Sequence, residues 1–169
     1  MNTTKIRDEI YAQIDESYLT VYNTQRELMK LIAKRELSRK SDPTRKSELT
    51  NYEFRLEMSG VGFVCRWLNI KFYNNNGKTV RVVKSVAIPR SGKYEPQHFR
   101  FAEEWELELI LQVEEVISLI RKYVRNLTKA HTSLICANKA IGIEFKTIDI
   151  KYRLDLPKLS IAEIKKGMA

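Results

Sequence analysis

The sequence predicts an α+β fold in which an antiparallel four-stranded sheet, a three-strand meander plus a later strand, packs with two long amphipathic helices. Two long stretches keep a helical period, and the middle third alternates apolar and polar residues. An Asn76-Gly77 pair also lies between two alternating segments, as in a tight hairpin. At 169 residues the chain has the usual size of one domain, so we expect a single domain over residues 1–169.

The first helix is predicted over residues 3–37. Apolar residues recur there at helical spacing, at Ile6, Ile10, Ile14, Tyr18, Val21, Leu28 and Ile32. Residues 38–51 contain almost no apolar side chain and predict a basic loop. Seven basic and two acidic residues between Lys30 and Lys46 give this region a net charge of +5. A solvated helix end is the alternative explanation for that charge.

A β-meander is predicted over residues 52–89. Alternation begins at Tyr52, an aromatic and β-branched run follows Gly62, and alternation resumes after Gly77. Asn76 and Gly77 both tolerate the positive φ angles that a type I′ turn requires.

A second long helix is predicted over residues 96–141, because Pro96 suits the first helical position and Gly142 suits the end. A period-two pattern over residues 143–156 then predicts the fourth strand, and residues 159–167 a short helix. The helix begins with acidic residues and ends with basic ones. Compensation of the helix dipole accounts for that order, but the acidic stretch also suits a basic protein partner, with candidate residues Glu103, Glu104 and Glu108.

The charge balance favours a polyanionic partner. Thirty Lys and Arg against 21 Asp and Glu give a net charge of +9, and basic proteins gain affinity for nucleic acid through counterion release. The alternative is that the charge only maintains solubility. Apolar runs are too short to span a membrane and the N-terminus lacks a secretory signal, so we expect a cytoplasmic protein with no membrane contact. Cys65 and Cys136 are expected to be buried thiols.

Motifs for catalysis are not evident. His98 and His131 lie 33 positions apart without metal-ligand spacing, and the six glycines form no phosphate-binding loop. We therefore expect no enzymatic activity, no metal and no cofactor.

Basic and aromatic residues interleave in the meander, a mixture that contacts phosphates and stacks on bases. Half-buried strands show the same mixture for structural reasons, so the pattern has two explanations. The candidate DNA contacts are Arg39, Lys40, Arg45, Lys46, Arg66, Lys71, Arg81, Lys84, Arg90 and Lys93.

Residues 68–137 carry a family resemblance. They contain NIKFYNNNGKTVR, then Tyr94-Glu95-Pro96, then FRFAEEWELELILQVEEVISLIRKYVRNLTK. This segment resembles the MobI-type conjugative transfer proteins of integrative and conjugative elements. The resemblance implies an auxiliary mobilisation factor that acts at the origin of transfer with the relaxase, as a relaxosome accessory of a mobile genetic element, without cutting DNA itself.

The alternative function belongs to another class. The long amphipathic helices also suit a dimeric protein-interaction or regulatory protein of a mobile element or phage that makes no DNA contact. In either case we expect a homodimer, since stripes of this length exceed what a four-stranded sheet readily covers.

Overall fold

The structure, a computed structural model, describes residues 3–45 and 50–168, with Arg45 described by its backbone alone. Its helices are α1 (Thr3–Ser41), α2 (Glu104–Ala140) and α3 (Ile161–Met168), and its strands are β1 (Tyr52–Ser59), β2 (Gly62–Asn75) and β3 (Lys78–Ser85). Short 3-10 turns lie at Pro43–Arg45, Pro96–His98 and Ile150–Tyr152. Helix α1 thus runs past the predicted end at residue 37, and α2 begins eight residues after the predicted start at residue 96.

Helices α1 and α2 pack as an antiparallel pair. At one end the Thr3 hydroxyl donates to the Asn138 side-chain oxygen at 2.9 Å, and at the other the Arg35 guanidinium lies 4.2 Å from the centre of the Trp105 ring. Buried residues of α1 follow the predicted stripe from Ile10 to Ile32. The two helices therefore lie against each other over most of their length.

The three strands form an antiparallel sheet in the order β1-β2-β3. Asn76 and Gly77 join β2 to β3 with φ angles of 49° and 80°, which confirms the two positive φ values expected of a type I′ turn. One face of the sheet packs on the helices through Phe54 and Trp67, whose rings meet edge to face at 5.1 Å.

The predicted architecture of four strands with two long helices is wrong, because the described part of the chain forms a three-stranded sheet with three helices, of which α3 corresponds to the short helix predicted over residues 159–167. Residues 143–156 do not bury alternate side chains, since Ile150 is buried but Ile143 and Tyr152 are 41% and 75% exposed, and no strand pairs with them in the described part of the chain. Their amides bond elsewhere: Ile148 N–H donates to the Tyr11 hydroxyl and Ile150 N–H to the Gly60 carbonyl. A 3-10 turn at Ile150–Tyr152 also interrupts the segment, so the alternation in the sequence does not correspond to a hydrogen-bonded strand.

Residues 143–160, the C-terminal segment, run alongside α1 in the same direction. The Arg153 guanidinium pairs with Asp15 at 2.7 Å and also donates to the Val61 carbonyl at 2.8 Å. The Tyr22 hydroxyl donates to the Pro157 carbonyl at 2.6 Å. This segment is thereby fastened both to α1 and to the turn between β1 and β2.

A buried ion pair joins the sheet to α2. The Glu114 carboxylate is fully buried and accepts two hydrogen bonds from Arg121, at 2.7 and 2.8 Å. It also accepts one from the Trp67 indole N–H at 2.8 Å and one from the Tyr94 backbone N–H at 3.2 Å. Arg121 in turn donates to the Cys65 carbonyl at 2.9 Å. The two charges are therefore paired with each other, and the same side chains also bond the Tyr94 backbone N–H and the Cys65 carbonyl.

Candidate nucleic-acid interface

The β2–β3 hairpin extends beyond the body of the protein. Every residue from Lys71 to Val82 is exposed, whereas the part of β2 paired with β1 is largely buried. We call residues 71–82 the arm. It is a two-stranded antiparallel ribbon closed by the Asn76-Gly77 turn, and a ribbon of this kind fits the major groove of duplex DNA.

A cleft of about 400 Å³ lies between one face of the arm and the loop that precedes α2. Its lining includes Lys71, Tyr73, Lys84, His98, Arg100 and Phe101. No acidic residue lines it, and within the described residues no ion pair involves Lys71, Lys84 or Arg100. Three cations here face solvent without a neutralising carboxylate, which favours an anionic ligand.

Lys71 and Phe101 connect the two walls of the cleft. The Lys71 ammonium lies 4.4 Å from the centre of the Phe101 ring, a cation–π contact. Both Phe101 and Tyr73 remain about half exposed, at 52% and 53%. The cleft therefore offers aromatic surface and positive charge side by side.

On the opposite face of the sheet the arginine side chains are paired with carboxylates. Arg81 pairs with Glu53, and Arg66 lies 3.4 Å from the Glu57 carboxylate. Arg55 also pairs with Glu53, at 3.2 Å. The predicted contacts Arg66 and Arg81 thus lie on this face, away from Lys71 and Lys84, and each has a carboxylate partner.

The remaining predicted DNA contacts are dispersed. Arg39 and Lys40 lie in the last turn of α1, at the end of the molecule from which the arm extends. Arg90 and Lys93 lie in the loop after β3, where the Arg90 carbonyl accepts from Arg125 on α2 at 3.3 Å. The side chain of Arg45 and all of Lys46 fall outside the described residues. Of the predicted set, Lys71 and Lys84 share the cleft beside the arm, and Arg66 and Arg81 line another cleft together with Glu53 and Glu57.

The acidic candidates for partner binding are at the start of α2. Glu103, Glu104 and Glu108 are all exposed. Glu106 differs from them, because its buried carboxylate accepts the backbone N–H groups of Asn51 and Tyr52 at 2.8 and 2.9 Å. Burial raises the pKa of the Glu106 carboxyl above its usual range, against the effect of these hydrogen bonds. Glu106 therefore holds the start of β1 and is not part of the exposed acidic surface.

Burial also shifts the pKa of other side chains. It raises the pKa of the Cys65 thiol to about 11 and that of the Tyr94 hydroxyl to about 12, so both are uncharged at neutral pH. Cys136 is exposed, so the expectation that both thiols are buried is wrong for it. Among residues 3–45 and 50–168, no group of three His, Cys, Asp or Glu side chains is placed to hold a metal ion.

Sequence reasoning missed Arg100 and Phe101. Both were placed inside the predicted helix over residues 96–141, where they had no distinct role, but α2 begins only at Glu104. Phe99 is buried at 2% exposure whereas Phe101 is half exposed, and no pattern in the sequence distinguishes the two rings. Arg100 and Phe101 form a turn between the 3-10 turn Pro96–His98 and α2, closed by the Ala102 N–H donating to the Phe99 carbonyl, and this turn places them on the cleft wall.

Comparison with known proteins gave one match. A family model described as MobI protein matches residues 28–135, more than half of the chain, and this confirms the family resemblance of the sequence. No curated protein and no solved structure was found to match. None of the helices in the described ranges is both long and apolar enough to cross a membrane.

Proposed function

Since this chain belongs to the MobI family and has a role related to conjugative mobilisation, we propose that it is an auxiliary factor that contacts DNA at the origin of transfer. In this proposal it acts with the relaxase and does not itself cut DNA. The observation that carries the DNA contact is the cleft beside the arm, where Lys71, Lys84 and Arg100 converge without an acidic neighbour. Phosphate groups are the ligands that such unneutralised cations attract.

The arm supports the same proposal by its shape. It presents exposed Lys78 and three asparagines at its tip, so that polar and basic groups lead when the ribbon approaches a groove. The tip of α1, with Arg39 and Lys40, lies at the same end of the molecule and adds positive charge. The contact surface we propose is therefore the arm, the cleft and the end of α1 together.

The DNA contact is tested by the salt dependence of binding. Fluorescence anisotropy would follow a labelled duplex from the origin region at several salt concentrations. Each phosphate contact releases about 0.9 counterion on duplex DNA, so replacing Lys71, Lys84 and Arg100 by alanine should flatten the slope by roughly 2 to 3 units. A control variant removes the same charge at three exposed positions elsewhere, Lys5, Arg26 and Lys151, and should change the slope much less. Equal slopes in the two variants, or no binding by the parent at ~100 mM salt, would reject this surface.

The absence of DNA cleavage is tested separately. Supercoiled plasmid incubated with highly purified protein and magnesium or manganese should stay intact. Nicking that disappears when one tyrosine or carboxylate is changed would show a catalytic site and overturn this part of the proposal.

The outer face of the helix pair supports self-association. Val116, Leu119 and Tyr123 lie on one side of α2 at helical spacing and are 48%, 66% and 45% exposed. Pairing of two copies through this face would cover them, which is the homodimer that we propose. Light scattering should then show a dimer for the parent and a monomer for Leu119→Lys, while Thr132→Lys, at an exposed polar position on another side of the same helix, keeps the dimer. A monomeric parent at tens of micromolar would remove the idea.

The relaxase contact is proposed for the acidic start of α2. Glu103, Glu104 and Glu108 present carboxylates to solvent there. Reversing all three to lysine should abolish capture of the purified relaxase of the same element, while Glu9→Lys with Glu16→Lys, at exposed positions of α1, should not. If dimer and relaxase contact persist but no DNA binds, the protein-interaction alternative replaces the DNA-associated function.

A further inference from the structure

Two half-exposed aromatic rings share the cleft with its cations, and phosphate contact alone does not require them. Tyr73 comes from the arm and Phe101 from the loop before α2. Cations suffice to bind the phosphates of a duplex, whose bases are stacked on one another and present only their edges. Unpaired bases, by contrast, stack on aromatic side chains whatever their sequence.

The residues around the two rings suit a single strand with unpaired bases. Lys84 and Arg100 line the same space and supply positive charge within reach of a backbone that passes the rings. Lys71 contacts the Phe101 ring at 4.4 Å and adds a third cation next to it. The volume of about 400 Å³ lies within the range of pockets that hold small organic ligands, so it accommodates a nucleotide base.

We propose that this cleft binds single-stranded DNA, with unpaired bases stacked on Tyr73 and Phe101 and phosphates held by Lys84 and Arg100. The inference rests on the proposed DNA contact and names its strand form. Positive charge beside stacking rings is the combination found in sites that hold single strands without reading sequence. The protein would then hold a strand whose bases are unpaired, and the protruding arm would form one wall of the site.

The arm provides its own matched control. Phe72 is next to Tyr73 in β2, is 59% exposed, and lies on the opposite face with Arg81 and Glu53. A change at Phe72 therefore removes a similar exposed ring from the same strand without touching the cleft.

The experiment measures anisotropy of a labelled 30-nucleotide single strand and of the matching duplex, with full-length protein. The parent should bind the single strand more tightly than the duplex. Because loss of stacking costs about 1–3 kcal/mol per base, Tyr73→Leu and Phe101→Leu should each weaken single-strand binding roughly 5- to 150-fold and leave duplex binding within about twofold. Phe72→Leu should change neither, and Tyr73→Phe, which keeps the ring, should retain single-strand binding.

The outcomes separate this inference from the function on which it rests. If the parent binds duplex at least as tightly as single strand, or if Tyr73→Leu and Phe101→Leu bind single strands as the parent does, the single-strand site is rejected while the DNA contact stands. If the parent binds neither form at ~100 mM salt, both are rejected. Circular dichroism checks that each variant is folded. If the Phe101 variant does not fold, the comparison of Tyr73→Phe with Tyr73→Leu still tests the inference.

Discussion

Replacing Glu114 by alanine should destabilise the protein severely, because it leaves a buried positive charge without its partner. Glu114 is 0% exposed and Arg121 8%, and two hydrogen bonds of 2.7 and 2.8 Å join them. Removing one member of a buried pair costs about 3–5 kcal/mol. For a chain of this size each kcal/mol lowers Tm by about 2–4 °C, so Tm should fall by on the order of 10 °C in differential scanning calorimetry.

The neighbouring residue gives the control for this prediction. Glu115 is exposed on the same helix, and Glu115→Ala should change the free energy of unfolding by no more than about 0.5 kcal/mol. Combining Glu114→Ala with Arg121→Ala should cost less than the sum of the two single changes, with a coupling of roughly 1–3 kcal/mol. A Glu114→Ala variant as stable as Glu115→Ala, or a double variant that is strictly additive, would refute the argument that the pair joins α2 to the sheet.

Three further perturbations test other parts of the structure. Burial lowers the pKa of His131 below its usual value of 6.5, so the unfolded chain binds a proton that the folded chain does not; the free energy of unfolding should fall as pH drops below about 6.5. Chemical denaturation should show a weaker fall for His131→Phe, and equal falls would contradict this. Arg153→Ala removes the ion pair with Asp15, whose charged hydrogen bonds contribute about 1.5–3 kcal/mol. Amide hydrogen exchange in the C-terminal segment should therefore become at least tenfold faster. Unchanged exchange would show that other contacts hold the segment in place. Gly77 has a φ of +80°, so Gly77→Ala should weaken pairing in the arm by about 1 kcal/mol, seen as faster exchange of arm amides, whereas Gly167→Ala in α3 should not. Equal arm exchange in the two glycine variants would refute the strain argument.

Local signals predicted the parts of the fold that depend on neighbours in sequence. The turn at Asn76-Gly77 and the stripe of α1 follow from residues a few positions apart. The supposed fourth strand over residues 143–156 shows the limit of this reasoning, since the alternating apolar residues include the buried Ile150 and the 75% exposed Tyr152, and no strand pairs with them in the described part of the chain. The buried Glu114–Arg121 ion pair could not be predicted from the sequence either. Both charges fit the dipole of the predicted helix, and only the packing of α2 on the sheet shows that they are buried.

The candidate site was predictable only in part for a similar reason. Lys71 and Lys84 were chosen because they lie in a basic, aromatic meander, and they do share a cleft. Nothing in the sequence indicates that residues 71–82 extend beyond the rest of the protein, because apolar and polar residues alternate in the same way in an exposed ribbon and in a half-buried strand. Arg66 and Arg81 were indistinguishable from Lys71 and Lys84 until the pairing register placed them on the opposite face, beside carboxylates.

The range of the family match bears on which part of the molecule carries the shared function. Residues 28–135 contain the whole arm, every lining residue of the cleft and the Glu114–Arg121 pair that holds α2 to the sheet. The parts outside the match, α1 before Leu28 and the chain after Ile135, contact each other through pairs such as Asp15 and Arg153. The cleft and the Glu114–Arg121 pair thus lie within the residues that match the family model. The C-terminal segment, by contrast, contacts mainly the part of α1 that precedes the match. Arg153→Ala should therefore lower the stability of the C-terminal segment more than it weakens the DNA binding that we propose for the arm, and an equal loss of both would show that the two regions are coupled.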